Sequence, residues 1–184
     1  AYVKASNAEA GDGFSSVTLS GDGETLVVGA VNEDSAATGV DGSQVDNTAT
    51  ANGAAYVYQH TADGWAQTHY LKPAFNVPGA GFGGSVTLSR DGQTLSIGAI
   101  GDGASGTGSN SDPTQQGIAG SGAAFIFTRV GDTWAQRTFQ KASNPGPNEY
   151  FGVSTWFSDD AHTWVVGAHY EATDAGGINP TAPK

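Results

Sequence analysis

The sequence predicts an all-β chain built as part of a β-propeller, and three observations carry that expectation. The phrase "GDGETLVVGA" (21–30) returns as "RDGQTLSIGA" (90–99) and "DDAHTWVVGA" (159–168), each copy starting 69 residues after the one before. Within each copy the apolar residues alternate with a period of two, the pattern of a strand with one buried face. Turn residues punctuate the chain at short intervals, and no stretch holds a helical period of 3.6 residues. Four-stranded units recurring at near-constant spacing are the mark of propeller blades, each of which needs its neighbours to bury both faces.

The repeat is wider than the decapeptide. "VKASN" (3–7), "LKPAF" (71–75) and "QKASN" (140–144) align, as do "GFSSVTLS" (13–20), "GFGGSVTLS" (81–89) and "YFGVSTWFS" (150–158). "NGAAYVYQHTADGWAQ" (52–67) matches "SGAAFIFTRVGDTWAQ" (121–136) at the same offset of 69. The chain thus reads as one repeat domain over 1–184, with units at approximately 4–71, 72–140 and 141–184, the last truncated. That makes about two and a half blades of four antiparallel strands.

Each element has its own justification. In the first strand Val17 and Leu19 share a face expected to be buried, as do Val86 and Leu88 in the second unit. Trp156, placed against Val17 and Val86, is expected to join the core. The second strand turns Leu26 with Val28, Leu95 with Ile97 and Trp164 with Val166 to one side, then ends on Gly29-Ala30, Gly98-Ala99 and Gly167-Ala168. Packing too tight for larger side chains is the expected reason for those small pairs. The third strand, "AAYVY" (54–58) or "AAFIF" (123–127), is aromatic and β-branched, as buried strands are. The fourth runs from Trp65 or Trp134 to about Leu71 or Gln140, and the recurrence of the two tryptophans points to packing between blades. Asp22-Gly23 and Asp91-Gly92 predict type I′ hairpin turns, which need positive φ at both central residues. Asp160-Ala161 stands at the third such position, and alanine's cost in that conformation predicts a different turn there.

Phe82-Gly83 and Phe151-Gly152, followed about fifteen residues on by Gly98-Ala99 and Gly167-Ala168, resemble the FG-GAP repeats of integrin α-subunit propellers. The pattern looks closer still to bacterial secreted proteins that carry many such units. Unit one keeps Phe14 and Gly29-Ala30 but lacks its Phe-Gly pair, and Val31, Ile100 and His169 stand where the family's final proline would be. The resemblance implies a non-catalytic adhesion or binding module, extracellular or at the cell surface. Its calcium loops of the D-x-D-x-D-G-x-x-D kind do not carry over. The connections "SGDGET" (20–25), "SRDGQT" (89–94) and "SDDAHT" (158–163) hold at most two acids, too few to surround Ca²⁺ with six to eight oxygens.

Composition narrows the partners. A net charge of −11 repels phosphate backbones and anionic lipid surfaces, so neither nucleic acid nor membrane insertion is expected. Cysteine is absent, which excludes disulfides and thiolate sites. The candidate functional segments are two long loops joining the second strand to the third, about 31–52 and 100–121. The first holds Glu33, Asp34, Asp41 and Asp46 and the second Asp102 and Asp112, hard oxygen ligands that make Ca²⁺ the one cofactor to consider. The other possibility is a polar, O-glycosylated loop. "GAGFGG" (79–84) fits a dinucleotide fingerprint in letters only, since it precedes a strand rather than opening a helix. The four histidines lack metal-ligand spacing, and no G-x-S-x-G elbow occurs.

The functional expectation is therefore not an enzyme but a module that recognises a protein or glycan through its long loops. The alternatives are a structural subunit that assembles head-to-tail with copies of itself into a ring or filament, and an accessory domain of a secreted enzyme. Both the missing blades and the opening "AYV", which matches the end of a fourth strand, suit completion by a further segment or a neighbouring subunit.

Overall fold

A computed structural model describes residues 2–171. The remainder of the third unit, residues 172–184, lies outside the described residues, and with it the expectation that this unit stops short of its third and fourth strands. The described chain is all-β, with ten strands: β1 (Phe14–Leu19), β2 (Thr25–Ala30), β3 (Ala54–Thr61), β4 (Gly64–Leu71), β5 (Phe82–Leu88), β6 (Thr94–Ala99), β7 (Ala123–Val130), β8 (Thr133–Gln140), β9 (Ser154–Phe157) and β10 (Trp164–Gly167). They form three antiparallel meanders, β1-β2-β3-β4, β5-β6-β7-β8 and β9-β10, one to each repeat. The sheets stand side by side, with β5 against β1 and β2, and β9 against β5 and β6, giving an arc of propeller-like blades.

The core lies between the blades. Val27, Ala55, Val57 and Leu71 of the first sheet meet Val86, Leu95, Ile97, Phe125 and Phe127 of the second. Phe82 and Phe125 pack edge-on at 5.2 Å between ring centroids, and Phe75, on the segment joining the blades, closes against Phe139 at 5.3 Å. On the far side of the first sheet Tyr56, Tyr58 and Tyr70 form a second cluster, covered by Val3 and Ala5 of the N-terminal segment. That segment occupies the place that 72–78 occupies on the second sheet. It is held there by the Tyr58 hydroxyl donating to the Lys4 carbonyl (2.8 Å) and the Tyr56 hydroxyl donating to Asn7 Oδ1 (2.7 Å).

The Phe-Gly and Gly-Ala pairs explain one another. The Gly83 carbonyl lies where a Cβ on Gly29 would come within 2.0 Å of it, and the Gly152 carbonyl does the same to Gly98 at 1.9 Å. Gly83 and Gly152 reach this position with φ of +92° and +94°, a conformation that favours glycine. The small pairs are therefore the sockets into which each following blade sets its backbone, as the sequence predicts.

Four expectations are corrected. The first-to-second-strand turns are not type I′, because Gly23 and Gly92 have positive φ and Asp22 and Asp91 do not. Each is closed by the glycine N–H donating to the serine carbonyl three residues back (3.0 and 2.9 Å). The third hairpin does not differ: Ala161 takes φ +57° and its N–H donates to the Ser158 carbonyl at 2.8 Å. Trp156 is not core. Strand register sets Thr155, not Trp156, opposite Val166, so Trp156 falls at the position of Thr18 and Thr87 and is 71% exposed. Val17 and Leu19 do share one face, but it is the open side of the arc, leaving them 62% and 51% exposed.

Candidate functional site

Both long loops fold back onto the rim of their own blade, and equivalent devices hold them. The first is a buried ion pair. Lys72 Nζ lies 2.8 Å from Glu33 Oε2 and Lys141 Nζ lies 2.9 Å from Asp102 Oδ1, with all four side chains at 2% exposure or less. Burial pulls both ammonium groups below the usual lysine range, against the opposing pull of the paired carboxylates. Lys141 also donates to Ser121 Oγ at 2.8 Å. Each pair ties the start of a loop to the chain leaving the fourth strand of the same blade.

The second device lies nearer the loop tips. Asp41 and Asn110, one repeat apart, both take positive φ (+56° and +54°). The Asp41 N–H donates to the Tyr70 carbonyl (2.8 Å) and Oδ1 accepts from the Tyr70 N–H (2.9 Å). Asn110 repeats this on Phe139 at 2.6 and 3.0 Å. Short bridges, Val40 to Leu71 and Ser109 to Gln140, add a rung to the edge of each sheet.

The six predicted ligands are accordingly distributed among local tasks. Glu33 and Asp102 are the buried acids of the lysine pairs. Asp34 Oδ1 accepts from the Ala51 N–H (2.7 Å) and Asp46 Oδ1 from the Thr48 N–H (3.0 Å). Asp41 divides its oxygens between Tyr70 and His69 Nδ1 (2.9 Å). Asp112 accepts from the backbone and hydroxyl of Thr114 and from Gln115, bonds that hold its carboxyl below the usual range. Among the described residues no three His, Asp or Glu side chains come together in a way that could hold a metal ion.

Sequence reasoning missed Lys72 and Lys141. The available signal was their recurrence in the aligned "LKPAF" and "QKASN" segments just after the ends of the fourth strands. Asn110 was missed because it differs from Asp41 in charge, although the 69-residue offset superimposes them.

Between the 72–78 segment and the second long loop runs a shallow groove, lined by Val77, Pro78, Gly103, Pro113, Thr114 and Gln116. It joins apolar surface to exposed amide and hydroxyl groups, the chemistry that recognises a sugar ring or an extended peptide. At the first loop Val45 projects with 90% of its surface exposed. No family model matches the chain, and no curated protein matches it.

Proposed function

We propose that the chain is a non-catalytic binding module of FG-GAP propeller type, displayed outside the cell or on its surface, that takes a protein or glycan on the rim formed by its two long loops. The single observation that carries this reading is the doubled anchoring of those loops. A buried ion pair and an Asx tether immobilise each one, so its outward residues meet a partner with little ordering cost. The groove lined by Val77, Pro78, Pro113 and Gln116, beside the second of these loops, is the part of the rim that takes the partner, and the reading requires no catalytic step.

A glycan array and an immobilised peptide array, probed with the labelled chain, test this. The wild-type chain is expected to retain a defined subset of ligands, and Pro78→Asp with Gln116→Ala, both at exposed positions, is expected to lose it at unchanged melting temperature. Silence on both arrays, or retention unaffected by the paired substitution, overturns the proposal.

A further inference from the structure

Four positions depart from the repeat together, and the fold brings them to one place. Tyr150 stands where the first two units have Gly13 and Gly81, His169 where they have Val31 and Ile100, and Tyr170 where they have Asn32 and Gly101. Gly120, at the end of the second long loop, stands where the first loop has Ala51. Backbone bonds join them. The Tyr150 N–H donates to the Gly120 carbonyl (2.9 Å), and the His169 and Tyr170 N–H groups both donate to the Glu149 carbonyl (2.7 and 3.4 Å). A Cβ on Gly120 would come within 3.0 Å of a Tyr150 ring carbon, so the loop's glycine makes room for the tyrosine ring.

Tyr150 holds φ +54°, the conformation that Gly13 and Gly81 take at +69° and +64°. A bulky side chain is an outlier there, and strained residues of this kind gather at ligand sites. The two glycine counterparts show that the joint between blades needs no side chain at this position, so packing of the arc does not account for the ring.

The rings make a corner. His169 and Tyr170 stack face to face, with 4.4 Å between centroids and 1° between planes, and Tyr150 meets Tyr170 at 5.9 Å and 65°. With His169 against one face, Tyr170 is still 62% exposed. Its openness is a property of the position: Asn32, its counterpart in the first unit, is exposed although a folded loop and a further blade follow it in the chain. The Tyr150 hydroxyl and the exposed Asn148 amide stand at the edge, 3.5 Å apart. None of these residues lines the groove beside Val77 and Gln116.

We infer that this corner binds a neutral sugar, one pyranose ring of an oligosaccharide lying on Tyr170 against Tyr150. A pyranose presents a disc of C–H groups on its face and hydroxyls around its rim. The disc suits an aromatic floor, whose face is the negative side of its quadrupole, and the rim suits the phenol hydroxyls and the Asn148 amide. A nucleobase would stack as well, but its phosphates meet a chain of net charge −11. A quaternary ammonium takes a cage closed by aromatic rings, whereas two rings at 65° leave the corner open to a flat, extended ligand. The site lies outside the groove and stands whether or not the groove takes a partner.

Heteronuclear NMR titration of the chain with soluble neutral hexasaccharides of glucose, N-acetylglucosamine, mannose and galactose, each taken to about 5 mM, where weak single-ring contacts are populated, reads the outcome. At least one is expected to give saturable shifts centred on Gly120, Asn148, Tyr150 and Tyr170. Tyr170→Ala should weaken that binding by about tenfold or more, as loss of an aromatic anchor does. Tyr150→Gly, which restores the residue of the other two units, should weaken it likewise while the circular dichroism spectrum stays unchanged. Shifts with none of the four sugars, shifts centred elsewhere, a response to choline alone, or an affinity indifferent to both substitutions overturns the inference. The groove pair Pro78→Asp with Gln116→Ala is expected to leave the sugar affinity as it is, so each of the two proposals can fail while the other stands.

Discussion

Ala161 shows how a single residue can carry strain for the sake of a repeated turn. At φ +57° it stands where Gly23 and Gly92 stand, and the surrounding bonds are the same in all three hairpins. Ser20, Ser89 and Ser158 donate to Asp22, Asp91 and Asp160 at 2.5–2.6 Å, while each aspartate also accepts from the backbone N–H two residues on. The bonds hold alanine in a conformation that an L-residue enters at a cost of about 1 kcal/mol. Ala161→Gly is therefore expected to stabilise the chain, by at most about 1 kcal/mol after the extra freedom glycine gives the unfolded state. A rise in melting temperature on thermal unfolding checks it. The same three carboxyls lie below their ordinary value of 3.8, chiefly because of the serine hydroxyl bonds. Their contribution is complete above that value and is lost as the pH falls through the lower, folded values. Unfolding scans between neutral pH and about pH 2.5 should show an acid-side decline that Ser20→Ala, Ser89→Ala and Ser158→Ala together reduce.

At the scale of the element, the long loops owe their order to pairs of distant residues. Lys141 and Asp102 lie 39 positions apart and meet with almost no solvent contact. Asp102 Oδ1 also accepts from the Ala104 N–H (3.0 Å), while Oδ2 is buried without a hydrogen bond. Removing one member of such a pair leaves a charge stranded in the interior, which costs about 3–5 kcal/mol. Lys141→Met is expected to destabilise by that amount, and adding Asp102→Leu is expected to recover most of the loss, because two apolar residues need no partner. Chemical denaturation of the single and double variants measures the coupling. The strands themselves were legible in the sequence, since Val86 with Leu88 and Leu95 with Ile97 alternate as the observed register requires. The lysines were not, because an alternating pattern reports polarity and says nothing of which charge lies across from which.

For the whole molecule, the arrangement of acids decides the relation to calcium. A net charge of −11 suggests cation binding, yet each predicted ligand already accepts from a protein donor or pairs with a lysine. Scanning calorimetry in millimolar CaCl₂ and in EDTA is expected to give the same melting temperature. A site binding at about a hundredth of the free calcium concentration would add roughly 2.7 kcal/mol and shift the transition visibly.

The sequence alone determined the repeat length, the strand-by-strand alternation and the pairing of Phe-Gly with Gly-Ala motifs. All three are local or strictly periodic, and local sterics write them directly into residue type. Tertiary structure decided which faces are covered. Val17 and Val86 are the same residue in the same strand position, and one is exposed while the other is buried, because only Val86 has a blade on its side. Burial, and with it the pairing of Lys72 and Lys141 and the outward Trp156, depends on what lies opposite, and that is a property of the assembled arc.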